Sequence, residues 1–238
     1  MPSFKRPRII PIITTLAAFI LLTALGTWQV YRLHWKTGIL DSIHERIAEE
    51  EVTLPLEHYD INALEYRKVQ AKGKYVYDKD IFLYMQKEGK SGYNVITPFI
   101  LGDSSAILVN RGWIPMDMRQ TFLDQEKEKS PEVMVDGILQ RGETQGMFVP
   151  NNNFSKNVWF WLDINDASKI SGIHFPPLYI RATGPNLAGE YPLKSDLTIK
   201  IRNDHLQYAI TWYSLSIAVL VIFALYHKKE KTRTPIKL

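Results

Sequence analysis

The chain has 238 residues, enough for one ordinary domain with an addition, and it contains no cysteine. The absence of cysteine excludes disulfides, thiolate metal sites, thioether-linked haem and cysteine nucleophiles. The formal net charge of +4 arises from two short basic tails, residues 1–8 and 227–238, which argues against a nucleic-acid-binding surface.

Two uncharged apolar runs, residues 9–30 and 206–226, decide the class of protein. Each is long enough to cross a bilayer as a helix, and aromatic side chains near their ends are typical of membrane interfaces. We predict membrane helices over residues 9–31 and 205–226. A cleaved signal peptide is the alternative for the first run, but its apolar core is longer than the usual ~7–15 residues.

The basic tails flank the outer ends of both runs, so the positive-inside rule places residues 1–8 and 227–238 in the cytoplasm. The segment 32–204 is then external. Apolar residues at helical spacing between Ile39 and Ile47 predict a helical stalk that continues the first span and ends before Pro55.

The rest of the external segment is rich in short β-branched and aromatic runs separated by turn residues. The fold class that this pattern predicts is an α+β membrane protein. Its two transmembrane helices flank an external antiparallel β-sheet or barrel-like domain with short helices near residues 118–127 and 164–170. The predicted strands are residues 66–78, 81–87, 93–101, 106–114, 133–140, 157–164, 177–182 and 197–201.

The external segment has no phosphate-binding glycine loop, no G-x-S-x-G and no H-E-x-x-H. One motif is more specific: Asn110, Arg111, Gly112 and Trp113 end a predicted strand, and Pro115 follows. Glycine there permits an unusual backbone angle, which indicates a structural strand exit. The alternative is an arginine and a tryptophan presented to a carboxylate-bearing ligand or a partner protein.

Five blocks spread over the chain, residues 25–36, 92–99, 108–115, 148–163 and 203–215, resemble the Surfeit locus protein family of cytochrome c oxidase assembly factors. The resemblance implies a two-helix anchor, an external domain and a role in building the haem a centre of oxidase subunit I, without catalytic activity. Subunit I is the implied partner, and haem A synthase is a further candidate. Since the N-terminus lacks an arginine- and serine-rich presequence, we expect a bacterial inner membrane and a periplasmic domain.

A candidate ligand-binding face lies at the start of the second span. On a helix, one face would carry a possible iron ligand, two flat aromatic contacts and a small residue beside which a porphyrin could lie. On the first span, Gln29 shares a stripe at the same level with two cations that could pair with haem propionates. The face comprises His205, Tyr208, Ala209, Trp212 and Ser216, and the cations are Arg32 and Lys36.

The same residue types also occur at membrane interfaces merely as anchors. With the family resemblance, His205 becomes the preferred ligand for transiently bound haem a. Two other functions stay open: a scaffold or chaperone for oxidase subunits that binds no haem, and a membrane-tethered external enzyme with an unrecognised site. The resemblance favours a protein that is not an enzyme.

Overall fold

The computed structural model describes residues 9–55, 60–125, 131–186, 189–196 and 203–227. The two basic tails, apart from His227, and the predicted strand at 197–201 lie outside the described residues. The chain divides into two compact units: Met1–Ser42 together with Lys200–Leu238, and Ile43–Ile199. Each unit is described by itself below.

The first unit contains most of helix α1, Ile9–Ala48, and all of helix α5, His205–His227. Within the described residues, these are the two helices long and apolar enough to cross a membrane. Helix α1 continues without a break past the predicted end of the span, so the predicted stalk is part of the same helix. Large aliphatic side chains such as Leu16 and Ile222 are exposed on the two helices, as expected for surfaces that face lipid.

The two helices of this unit contact each other through small and polar residues. The hydroxyls of Thr27 and Tyr213 lie 3.1 Å apart. Gly26 leaves room for the Tyr213 ring, because a Cβ at that glycine would lie 2.9 Å from it. Such close approach through small residues is the usual way in which membrane helices pack.

The second unit is a β-sheet domain that carries short helices. Its helices are α2, Ile61–Leu64, α3, Arg119–Gln125, and α4, Ile164–Ser171. Its strands are β1 Val52–Leu54, β2 Lys68–Tyr75, β3 Ile81–Lys87, β4 Lys90–Leu101, β5 Ala106–Pro115, β6 Val133–Arg141, β7 Val158–Trp159 and β8 Leu178–Ala182.

Five of these strands close into a ring, which we call the barrel. Strand β2 pairs with β6, β6 with β8, β8 with β5 and β5 with β4. The ring closes where Gly73–Tyr75 of β2 pairs with Phe99–Leu101 of β4. Strand β1 extends the sheet beside β2, and β3 and β7 extend it beside β4.

The predicted α+β class and barrel-like form are therefore confirmed, but the sheet is mixed rather than antiparallel. The pairs β1–β2, β3–β7 and β5–β8 are parallel. Parallel pairing requires a crossover, and the chain makes one between β5 and β8 through α3, β6, β7 and α4. The run 157–164, predicted as one strand, contains the two-residue strand β7 and the first residue of helix α4. Strand β1 is not predicted by the sequence pattern.

The barrel interior follows the two-residue period of its strands. On β8, Leu178, Ile180 and Ala182 belong to the aliphatic interior, whereas Tyr179 belongs to a separate cluster that also contains residues of α4. A third cluster contains residues of β3, β4 and β5 together with Phe122 of α3. The sheet is thus covered on its outer surface as well as filled inside.

Strand β5 contains a bulge that depends on Gly112. Val95 of β4 pairs with Gly112 and the next residue, Ile96, pairs with Asn110, so Arg111 is the extra residue of the bulge. Gly112 has φ +128°, and a Cβ there would collide with the main chain at Leu193. Trp113 and Leu193 exchange two main-chain hydrogen bonds of 2.9 and 2.8 Å, which holds that segment in place.

We expect Gly112→Ala to lower the free energy of unfolding by about 3 kcal/mol or more, because strained backbone and a main-chain collision act together. Gly89→Ala is the matched control, since Gly89 also has positive φ, +78°, but nothing lies within 4 Å of its Cβ position. It should cost only about 1–2 kcal/mol. Thermal unfolding of the full chain in detergent, followed by the β-sheet circular dichroism signal, measures both; equal losses would contradict the collision.

Candidate functional site

Helices α1 and α5 bring Gln29 and His205 together. The Nδ1–H of His205 donates to Oε1 of Gln29 over 2.7 Å. Gln29 is buried and His205, the first residue of α5, is half-buried. Because the hydrogen bond occupies Nδ1, it fixes the tautomer and leaves Nε2 as the nitrogen that can bind a metal ion.

The remaining side chains of the face differ in accessibility. Tyr208 is exposed and Trp212 is half-buried, so both rings can be reached by a flat ligand. Ala209 is only 2% exposed and Ser216 only 3%. A porphyrin therefore cannot lie on the Ala209 methyl group as the sequence suggests, and the open part of the face lies along the two aromatic rings.

The two cations of the stripe lie on α1 beyond Gln29. The Arg32 guanidinium stacks over the Trp35 ring at 4.2 Å from its centroid. A guanidinium that contacts an aromatic ring in this way keeps N–H groups that can bind a carboxylate. Lys36 is half-buried one turn further along the helix. Pairing of these cations with propionates stays a prediction.

In the β-sheet unit, the polar groups of Asn110 and Trp113 are bonded to the main chain of the same domain. Asn110 is buried, and its Oδ1 accepts the main-chain N–H of Gly112 over 3.1 Å. Trp113 is buried, and its Nε1–H donates to the Met85 carbonyl over 3.1 Å. Their contacts lie within the domain, so the geometry favours the strand-exit interpretation of this motif.

Arg111 lies in a box of aromatic rings. Its guanidinium carbon is 4.9 Å from the Tyr75 ring centroid, 4.7 Å from that of Tyr77 and 5.3 Å from that of Phe122. Only 11% of its side chain is exposed. A cation so placed is stabilised by the ring quadrupoles but has lost most of its water.

The counter-ion of Arg111 is Asp80, which lies between the predicted strands 66–78 and 81–87. The Nη1 of Arg111 and the Oδ2 of Asp80 are 3.9 Å apart, and the carboxylate side chain is 2% exposed. Thr97 donates its hydroxyl to Oδ1 of Asp80 over 2.5 Å. The arrangement is a buried ion pair within the protein rather than a surface offered to a ligand.

The titratable groups of the β-sheet unit show no catalytic arrangement in the part of the chain that the structure describes. No group of three or more His, Asp or Glu residues there could hold a metal ion. Burial raises the pKa of the Tyr179 hydroxyl, which donates to Gln140 over 2.9 Å and stays protonated. Burial also lowers the pKa of Arg181. Both shifts follow from packing, and absence of catalysis stays a prediction.

Comparison with known proteins gives one consistent family. A model of the SURF1 family matches residues 16–217, from within α1 to within α5. The SURF1-like protein of Rickettsia prowazekii (strain Madrid E) is 34% identical over 227 residues, covering 93% of this chain and 91% of that protein. Surfeit locus protein 1 of Takifugu rubripes is 31% identical over 225 residues, covering 87% and 93%. Surfeit locus protein 1 of Homo sapiens is 32% identical over 228 residues, covering 89% and 74%.

We expect Arg111→Met to lower the free energy of unfolding by about 3–5 kcal/mol, because it leaves the Asp80 carboxylate buried without its cation. Adding Asp80→Asn should recover part of this loss, since the double variant removes both charges. Lys169→Ala, which breaks an exposed ion pair with Asp166, should leave stability unchanged. Denaturant unfolding of the four proteins tests this; a double variant less stable than Arg111→Met would contradict the ion-pair interpretation.

Proposed function

The chain belongs to the SURF1 family, and we propose that it is a membrane-anchored assembly factor for cytochrome c oxidase that binds haem a transiently. Its partner is oxidase subunit I, whose haem a centre it helps to complete, and haem A synthase is the candidate donor of the haem. Haem a is the cargo in this proposal, not a resident cofactor.

The observation that carries the proposal is the hydrogen bond between His205 and Gln29. Histidines that bind metals commonly donate their second ring N–H to an oxygen acceptor, which orients the ring. Gln29 supplies that acceptor from the neighbouring helix. His205 would bind the haem iron through Nε2, and nitrogen ligation would set the spin state and potential of the iron.

The other residues of the face suit the rest of a haem molecule. The accessible rings of Tyr208 and Trp212 offer flat apolar contacts to a porphyrin. Arg32 and Lys36 on α1 offer positive charge to the propionates. Because Tyr208 is exposed rather than enclosed, contact with the cargo is partial, which suits a protein that must release it.

The proposed location is a bacterial inner membrane, with both termini in the cytoplasm and the β-sheet unit in the periplasm. Two candidate membrane-spanning helices support a membrane location, and the basic tails support the proposed orientation. Relatives named SURF1-like occur in Rickettsia, which are bacteria.

The orientation can be tested with reporter fusions that are active only outside the cytoplasm. A reporter inserted after Gly102, in the exposed β4–β5 turn, should be active, and one fused after Leu238 should be silent. The matched pair differs only in position. Activity at the C-terminus would rule out the proposed hairpin of two spans.

The haem proposal predicts the spectrum of the purified full chain after co-production with the enzymes of haem A synthesis. His205→Ala should lose the haem spectrum and nearly all bound haem, while the protein remains in the membrane, because the apolar run of α5 dominates its insertion. Gln29→Leu should weaken haem binding by roughly 10–100-fold, since the imidazole loses its orienting partner.

Two control variants separate ligation from helix pairing. Thr27→Ala removes the contact with Tyr213 but leaves Gln29 and His205 intact, so haem content should persist. His34→Ala removes an imidazole of α1 whose Nδ1 is hydrogen-bonded to the Val30 carbonyl, and this variant should also keep haem. A wild-type haem spectrum in His205→Ala would reject ligation and leave the haem-free scaffold as the better account.

A further inference from the structure

Two large apolar side chains stand at the tip of the loop between β6 and β7. Met147 is 91% exposed and Phe148 is 93% exposed. They occupy the middle of a turn in which the N–H of Val149 donates to the Gly146 carbonyl over 3.1 Å. We call these two side chains the apolar tip. Their exposure leaves apolar surface in water, which is unfavourable unless something covers it.

Hydrogen bonds hold the loop that carries the apolar tip. Gln145 donates to the Val149 carbonyl over 2.9 Å. At the other side of the turn, Oδ1 of Asn152 accepts the main-chain N–H of Phe160 over 2.7 Å. The tip is therefore presented by an ordered loop, so covering it would cost little conformational entropy.

The same unit contains an apolar pocket at one end of the barrel. Its cavity of about 570 Å³ lies within the range of sites that enclose small ligands, roughly 300–1,000 Å³. His174, which is exposed, and the β4–β5 turn contribute polar groups to its lining. The inner lining is aliphatic and includes Leu64, Leu101, Ile107, Leu139, Ile173 and Leu178.

The charges of the pocket and the tip indicate which kind of occupant fits. Asp103 is the carboxylate among the described lining residues, and it already accepts the N–H and the hydroxyl of Ser105 over 3.0 and 2.6 Å. No lysine or arginine belongs to that described lining. The pocket therefore suits an uncharged apolar group, and Met147 and Phe148 are such groups.

The tip does not fill the pocket of its own chain, because both of its side chains are almost fully exposed. We propose that two copies of this chain associate, and that the apolar tip of each copy occupies the barrel pocket of the other. A two-fold symmetric pair would then contain this contact twice. Anchoring of both copies in one membrane raises their effective concentration and favours such pairing. The proposal does not depend on haem binding.

The first test measures the molecular mass of the purified full chain in detergent by sedimentation. The wild-type chain should dimerise reversibly. Met147→Ser/Phe148→Ser should raise the dimer dissociation constant about 10-fold or more, because each copy loses two buried apolar side chains. His174→Trp, which narrows the pocket, should act in the same direction.

A mixture of the two variants and a matched control variant make this test specific to the proposed contact. The tip variant keeps an intact pocket and the pocket variant keeps an intact tip, so an equimolar mixture should recover part of the dimer through one restored contact. Met134→Ser also replaces an exposed methionine, one on strand β6, and should not change the dissociation constant. Equal weakening by Met134→Ser would overturn the proposal.

The second test uses the absence of cysteine, which makes any introduced thiol unique. Chains carrying Phe148→Cys and chains carrying His174→Cys, with different tags, are mixed and treated with a short bismaleimide. A cross-link should join the two kinds of chain, and omission of either thiol should abolish it. A monomer at all concentrations, or a dimer that cross-links only between two chains that both carry Phe148→Cys, would overturn the proposal.

The remaining test distinguishes another copy of the chain from lipid. An environment-sensitive fluorophore on Phe148→Cys should report an apolar surrounding only as the chain concentration rises in phosphatidylcholine vesicles. The same apolar signal in vesicles containing at most one chain each would assign the tip to the bilayer, and would reject the dimer contact.

Discussion

The pairing of the end of β2 with the end of β4 is the contact on which the β-sheet unit depends. Strand β4 has twelve residues, so its first half can pair with β3 while its last three residues reach β2. Its other edge is occupied by β5. This sharing of one long strand closes the ring, and closure provides an interior that aliphatic side chains fill from every strand.

The buried cation belongs to this closure. Tyr75 pairs with Phe99 at the closing point, and their rings are 4.8 Å apart. The bulge in β5 removes Arg111 from the regular pairing, and its guanidinium stacks on Tyr75. Bulges commonly re-aim a side chain in this way. The strained glycine, the bulge in β5 and the buried arginine are thus parts of one local arrangement.

The sequence can predict the helices and most strands because their signals are local. Uncharged length predicts a span, and two-residue or helical periods predict the element type. The start of α5 at His205 and the helix α4 at Ile164–Ser171 follow from such signals. The parallel pairs and the three-residue strand β1 do not, because pairing direction depends on distant segments and short strands carry little periodicity.

The candidate site is likewise predictable from the sequence only where its signals are local. Two antiparallel spans place Gln29 and His205 at the same depth in the membrane. The hydrogen bond between them depends on the rotation of each helix about its own axis, which the sequence does not give. The same rotation buries Ala209, which sequence spacing alone places on the open face. The partners of Arg111 come from two separate segments, residues 75–80 and helix α3, so the spacing of Asn110 to Trp113 cannot distinguish an internal arginine from a presented one.

The hydrogen bonds between α1 and α5 contribute little to the stability of the helix pair. Such bonds between membrane helices contribute only about 0.6 kcal/mol on average, so neither the Thr27–Tyr213 contact nor the Gln29–His205 contact is needed to keep the helices inserted. A polar pair that contributes little to the anchor is available for another purpose. An imidazole held through Nδ1 by a neutral amide, rather than by a carboxylate, is a modest electron donor, which is consistent with the proposed transient binding of haem a.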